Sequence, residues 1–256
     1  MSYDGAPFCG WQIQPGSPSV QEALQDALGT LLRCPVSVVG AGRTDTGVHA
    51  LHYVAHFDFD GDVPQPLAGD PLDCKQLCYK LNAILPKGIA VSSVSPAAPD
   101  FHARFDAVQR SYSYFLHRCK DPFMEGRSYL YAYPDVDFDA MNRAARSLLG
   151  THDFSCFEKS GGDNRTSICT VFSAAWEPYE PTLGSRTDQP LYWRFNISAD
   201  RFLRNMVRAI VGTLLEVGRG KRTVEEFAAL VRPDAQRSEA GESVPGHALY
   251  LTDVRY

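Results

Sequence analysis

The chain has 256 residues, 44% of them hydrophobic, and a formal net charge of −5. That length and apolar content suffice for a sizeable core, in one large domain or two half-size lobes, and exclude a disordered chain. A negative balance excludes a protein that coats nucleic acid non-specifically but not a local basic groove, and the 25 basic residues are 19 Arg and 6 Lys, weighted toward the planar cation that suits phosphates and ion pairs.

Seven cysteines, an odd number without a Cys-x-x-Cys pair, indicate a reduced interior. No apolar run approaches the roughly 18 residues that span a bilayer, and no signal peptide opens the chain. A soluble, cytoplasmic protein is expected.

In chain order, Ser2-Tyr3-Asp4-Gly5 gives a turn signal almost at once, so a first strand is nearly absent. Ser19-Val20-Gln21-Glu22 reads as a capping box, and Val20, Ala23, Leu24, Ala27, Leu28 and Leu31 repeat with helical period, which predicts a helix over 20–33. Strands are expected at Val36 to Val39 and Leu51 to Phe59. Between them lies Gly40-Ala41-Gly42-Arg43-Thr44-Asp45-Thr46-Gly47-Val48-His49-Ala50, a tight loop on which backbone can approach a ligand. Arg43, Thr44 and Thr46 surround Asp45 with donors that suit an ionised nucleophile or general base; an Asx-turn with no chemistry is the alternative.

After a Pro/Gly/Asp loop at 64–73, a helix is expected near 73–85 with Leu77, Leu81 and Ile84 on one side. Cys74 and Cys78 lie on it as small buried hydrophobes, and Pro86 stops it. Ile89 to Val94 reads as a strand, 101–106 as an irregular basic-aromatic stretch, and Arg110 to Leu116 as a strand with Tyr112 and Tyr114 on a single face. Then follow a helix at Phe138 to Leu149 closed by Gly150, strands at Ile168 to Trp176 and Leu191 to Ser198 joined by a loop at 177–190, a helix at Arg201 to Val217, a shorter helix capped by Thr223, and a final strand from Ala248 to Tyr256. Both halves read helix, strand, strand, helix, strand. The expectation is an α+β fold of two related lobes, 1–115 with the glycine loop and 116–256 with an arginine-bearing helix. Each would be an antiparallel sheet with helices on one face, with an active-site cleft between the lobes.

On the helix expected from 201, Arg201, Arg204 and Arg208 fall at i, i+3 and i+7, an arginine stripe suited to phosphate or carboxylate; an ordinary solvated face is the alternative. His49, His52 and His56 near Asp45 raise a metal site, but strand alternation puts His49 opposite the other two, so none is expected. No Gly-x-Ser-x-Gly elbow, Walker or dinucleotide glycine pattern occurs.

Seven motifs stand in order: Tyr3-Asp4-Gly5 with Phe8-x-Gly10-Trp11-Gln12-x-Gln14, Gly42-Arg43-Thr44-Asp45-x-Gly47-Val48-His49-Ala50, Leu81-Asn82 with Leu85-Pro86, Phe101-His102-Ala103-Arg104-Phe105, Arg110-x-Tyr112-x-Tyr114, His152-Asp153-Phe154 and Phe202-Leu203-x-x-Met206-Val207-Arg208. Together they resemble the TruA family of tRNA pseudouridine synthases along nearly the whole chain. The resemblance implies a cofactor-free and metal-free isomerase that converts uridine to pseudouridine in the anticodon stem-loop of tRNA, at nucleotides 38–40, working as a homodimer. It makes Asp45 the catalytic residue, Arg208 its charge partner, Tyr112 the ring that stacks on uracil, and Arg43 the side chain that assists base flipping. Arg104, Arg201 and Arg204 are assigned to tRNA phosphates on charge and position. A catalytically silent tRNA-binding protein and a metal-dependent hydrolase using Asp45 and the histidines are the competing readings. The sequence departs from the family in a stretch before Tyr3 shorter than usual, as a displaced start would leave it, and in Ala248 at a position where the family tends to have Gly.

Overall fold

The computed structural model describes residues 1–65, 67–69, 72–161, 165–183 and 191–256. They fall into two compact units, 1–108 with 251–256, and 109–250. Both combine helices with mostly antiparallel strands, the α+β class that the order of elements implies. Among the described residues, no helix is long and apolar enough to cross a membrane.

In the first unit, strand β1 (Ser2–Tyr3) is followed by helix α1 (Val20–Leu32). The Ser19 half of the expected capping box forms, its side chain accepting from Glu22 N–H, and Val20, Leu24, Ala27, Leu28 and Leu32 are buried. Strand β2 (Val38–Gly40) is tied to α1 by two glutamines: Gln21 Nε2 donates to Val38 O at 2.8 Å and Gln25 Oε1 accepts from Val38 N–H at 3.0 Å. Of the strand expected over 51–59 only β4 (Ala55–Phe57) forms, and a second short strand, β3 (His49–Ala50), falls at the end of the stretch expected as loop. They serve different sheets: β3 pairs with β1 through Ala50 opposite Tyr3, whereas β4 pairs with β2 through Ala55 opposite Gly40.

Helix α2 (Cys74–Ile84) is capped by Asp73, whose carboxylate accepts from Gln76 N–H. Leu77 and Leu81 are buried, but Ile84 is exposed and Cys74 and Cys78 are only half-buried, so the apolar side is narrower than its spacing suggests. Asn82 clamps the chain after the helix, its amide donating to Val91 O at 2.7 Å and accepting from Val91 N–H at 2.8 Å. That clamp limits the expected strand over 89–94 to β5 (Ile89–Ala90), which pairs with β1. The C-terminal residues complete this unit: Leu51 N–H donates to Leu251 O and Val108 N–H to Arg255 O, both at 2.8 Å.

The second unit begins with β6 (Gln109–His117), joined in parallel by β7 (Tyr129–Leu130). Helix α3 (Phe138–Ala145) continues as a 3₁₀ turn to Leu148, so the one helix expected to Leu149 ends in a tighter form. Met141, Ala144, Ala145 and Leu148 are buried as their spacing predicts. Phe138 stacks on Trp193 at 3.7 Å between centroids, and Asn142 exchanges hydrogen bonds with Trp176 backbone, which fixes α3 on the sheet. That sheet runs β6, β10 (Tyr192–Ala199), β9 (Ile168–Pro178) and β8 (Gly150–Asp153); β8 has no apolar alternation and is absent from the sequence expectation. Part of the loop expected at 177–190 lies outside the described residues.

Helix α4 (Met206–Gly218) begins five residues later than the spacing from Arg201 suggests. Asn205, the residue ahead of it, is left-handed at φ 65°, a conformation that breaks a helix before it. The helix is also buried almost all round, with only Arg208 and Glu216 partly open. The short α5 (Val224–Ala228) carries the full Thr223–Glu226 capping box, and β11 (Leu249–Arg255) ends the fold.

Candidate active site

The glycine loop is held from below by backbone packing. Gly10 has φ +91°, and a Cβ there would overlap the Thr44 carbonyl oxygen; a Cβ on Gly5 would overlap that of Val48, and one on Gly40 would overlap Tyr53 and Trp11. These three glycines therefore let two stretches of chain touch. Gly47 takes φ +75° in the turn after Asp45, but the space in front of Gly42 is open. The loop's glycines thus serve the turn and the packing beneath it, rather than all approaching a ligand.

Polar contacts add to that base. Thr44 is buried, its Oγ1 is 2.9 Å from Tyr3 Oη, and its carbonyl accepts from Trp11 N–H at 3.3 Å. Tyr53 Oη donates to Gly42 O at 2.5 Å while its ring stacks on Trp11 at 4.2 Å. Asp45 O accepts from Val48 N–H at 3.1 Å. Buried Thr44 alternates with exposed Arg43 and half-exposed Asp45, so the loop anchors itself by one residue and presents its neighbours. Arg43 Nε donates to Gln12 Oε1 at 3.3 Å. Tyr3, Trp11 and Tyr53 are positioning residues that the sequence showed only as motif or strand aromatics; the glycine at 10 paired with a buried threonine at 44 has no local signal.

The histidines near Asp45 have separate duties. His49 is buried, and its Nδ1 accepts from Gly5 N–H at 3.0 Å and lies 3.1 Å from Asp4 Oδ1. His56 Nδ1 accepts from Ala103 N–H at 3.1 Å. His56 is held below the usual imidazole range, first by burial and then by His102. Among the described residues, no group of His, Cys, Asp and Glu is placed to hold a metal ion. Arg104 is exposed, its guanidinium 5.6 Å from the centre of the Phe105 ring.

In the second unit, Tyr112 faces Ile197 across the β6–β10 ladder and meets Phe202 edge-on at 5.1 Å. The shared face expected for Tyr112 and Tyr114 divides by depth: Tyr112 is half-buried, whereas Tyr114 is sealed and its hydroxyl has no hydrogen-bond partner. Burial, reinforced by Tyr129 and opposed by Arg208, pushes the Tyr114 phenol far up, so it stays protonated.

The expected arginine stripe does not exist as one helix face. Arg201 and Arg204 precede α4, and only Arg208 is on it. Arg201 N–H donates to Asp200 Oδ1 at 2.7 Å, and exposed Arg204 donates through Nη1 to Ser160 O at 3.2 Å. Arg208 is fixed to the chain after the helix, since its Nε donates to Val244 O at 2.8 Å while its own carbonyl accepts from Val244 N–H at 3.2 Å. A guanidinium offers planar N–H donors in a fork that matches a carboxylate or phosphate.

A family model described as tRNA pseudouridine synthase matches residues 144–256. Among curated proteins, the chain is 49% identical over 257 residues to the tRNA pseudouridine synthase A of Bacteroides thetaiotaomicron, covering all of this chain and 88% of the relative. It is 47% identical over 258 residues to the enzyme of that name from Bacteroides fragilis, covering all of this chain and 94% of the relative. With the Bacillus subtilis protein of the same name, identity is 38% over 259 residues, covering all of this chain and 97% of the relative.

Proposed function

The chain belongs to the tRNA pseudouridine synthase family, and on that premise we propose that it isomerises uridine to pseudouridine in tRNA with Asp45 as the reacting carboxylate. The observation that carries this role is the loop itself: Thr44 is buried and bonded, Arg43 and Asp45 on either side are not sealed, and the backbone under them is fixed by Gly10 and Trp11. A reacting group held on a rigid base needs no reorganisation when substrate arrives.

The substrate assigned to it is the anticodon stem-loop at nucleotides 38–40. A base inside a stem must be extruded before it can react, and exposed Arg43 fills the place it leaves. Tyr112 stacks on the uracil, Arg208 is the counter-charge of Asp45, and Arg104, Arg201 and Arg204 bind phosphates. The C1′–N1 bond breaks, the uracil turns, C1′ bonds to C5, the C5 proton leaves and N1 gains one, so atoms balance without a cofactor. Asp45 acts either by adding to C1′ or by removing a sugar proton to give a glycal-like intermediate. The working form is a cytoplasmic homodimer. Neither competing reading, a silent binding protein or a metal-dependent hydrolase, is favoured by any observation above.

The test is to incubate the purified protein alone with an unmodified tRNA transcript and map pseudouridine. Asp45→Asn is expected to lower product formation by at least about 10²–10⁴-fold while tRNA binding persists. Full activity in that variant overturns the assignment. Arg208→Ala is expected to lower turnover more than affinity; loss of affinity alone would place Arg208 on a phosphate instead.

A further inference from the structure

Phe105 is 74% exposed, more open than any other aromatic side chain among the described residues. It stands on a turn whose backbone donors are all engaged. His102 N–H donates to Asp106 Oδ2 at 2.7 Å, and Ala103 N–H to His56 Nδ1 at 3.1 Å. His102 Nδ1 accepts from both Arg104 N–H and Phe105 N–H at 3.2 Å. His102 O accepts from Phe105 N–H at 3.1 Å and from Asp106 N–H at 3.0 Å. Ala103 is fully buried, and its carbonyl accepts from Tyr256 Oη at 2.8 Å. The turn is tied at five successive residues, so the exposed ring is held out by its own backbone.

The ring is fixed as well as exposed. One face of Phe105 stacks on the His102 imidazole, with centroids 4.2 Å apart and planes at 28°, and His102 in turn meets His56 edge-on at 5.0 Å. The exposure therefore lies away from the His102 stack, and Arg104 holds its guanidinium over the ring, 5.6 Å from the centre. A pre-oriented aromatic face beside an arginine is the arrangement that receives an unpaired nucleobase: the base stacks on the ring and the adjoining phosphate meets the cation. A protein partner would instead call for a broad apolar patch with several such side chains together, whereas the neighbouring turn residues here are Arg104 and Asp106, both exposed.

We infer that Phe105, braced by His102, is a stacking platform for an unpaired nucleobase of the RNA substrate. The inference rests on the tRNA reading above. Every base has a π-face, so the platform is tolerant of sequence and contributes affinity and placement rather than choice of base.

The experiment measures the dissociation constant of an unmodified tRNA transcript, at one fixed salt concentration, for the wild-type protein and for Phe105→Ala and Phe105→Trp. Phe105→Ala is expected to weaken binding by about 5- to 100-fold and to raise KM in parallel, with an unchanged thermal midpoint because the ring is exposed. Phe105→Trp is expected to keep the affinity and to show quenching of the indole fluorescence as transcript is added, and none with a fully paired RNA duplex. Wild-type affinity in Phe105→Ala, an indole signal that transcript leaves unmoved, or a change in oligomeric state in place of RNA affinity each overturns the platform. Failure of the tRNA reading is distinct, since the wild-type protein would then form no pseudouridine whatever Phe105 does.

Discussion

Asp45 depends for its position on a glycine thirty-five places earlier in the chain. Gly10 can lie under Thr44 O because it lacks a Cβ and takes φ +91°, a region other residues enter only with strain. Gly10→Ala introduces both faults at once, overlap with a carbonyl and an unfavourable φ. It is expected to destabilise the protein by about 1–3 kcal/mol. Because the loop must move to relieve the overlap, turnover is expected to fall by about 10²-fold, although Gly10 is itself buried. Gly42→Ala, facing open space, is the comparison and should cost far less stability. Thermal melts and pseudouridine assays on the two variants check this; equal effects would remove the packing account of the loop.

Among elements, α4 is the one whose sequence is most deceptive. Its apolar residues repeat on every side because it is buried on every side, and arginines five and two residues ahead of the true helix, Arg201 and Arg204, are indistinguishable by spacing from ones on its face. What ends the pattern is Asn205 at φ 65°, held by its amide donating to Ser243 Oγ at 2.5 Å, a tertiary contact with no local signature. By contrast α1 and α5 are legible because Ser19 and Thr223 cap their own helices within three residues, and α2 because Leu77 and Leu81 share a side and Pro86 stops it. The short strands β3, β4 and β5 were not legible as separate pieces, since their limits come from partners far away in sequence. Inside α4, Thr213 Oγ1 donates to Ala209 O at 2.7 Å and accepts from Gly241 N–H at 3.0 Å, with both residues buried. Thr213→Val keeps the shape but leaves the Gly241 donor unsatisfied. A loss of about 1–3 kcal/mol is expected, read as a lower denaturant midpoint at unchanged slope; a midpoint within error of wild type would show that another acceptor takes the bond.

Across the whole molecule, the family motifs were readable because each is a short local run, and the reacting loop came with them. The membership of the last six residues was not, because a strand carries no record of which sheet receives it. Residues 251–256 belong to the first unit, where Leu251 and Val254 are buried at 2% and 5% exposure. Their backbone receives donors from Leu51 and Val108, and Tyr256 Oη closes on Ala103 O. Burial of two such side chains contributes roughly 1.5–3 kcal/mol each, and the total with three hydrogen bonds approaches the 5–15 kcal/mol that typically stabilises a domain. A fragment comprising 1–108 is therefore expected to remain unfolded, with no dispersed amide spectrum and no cooperative melt. Because Val108 N–H already reaches Arg255 O, a flexible Gly/Ser linker of about eight residues can carry the chain from Val108 back along the strand to Leu251, and that version is expected to fold. Cooperative unfolding of 1–108 by itself would mean that the C-terminal strand decorates the first unit rather than completing it.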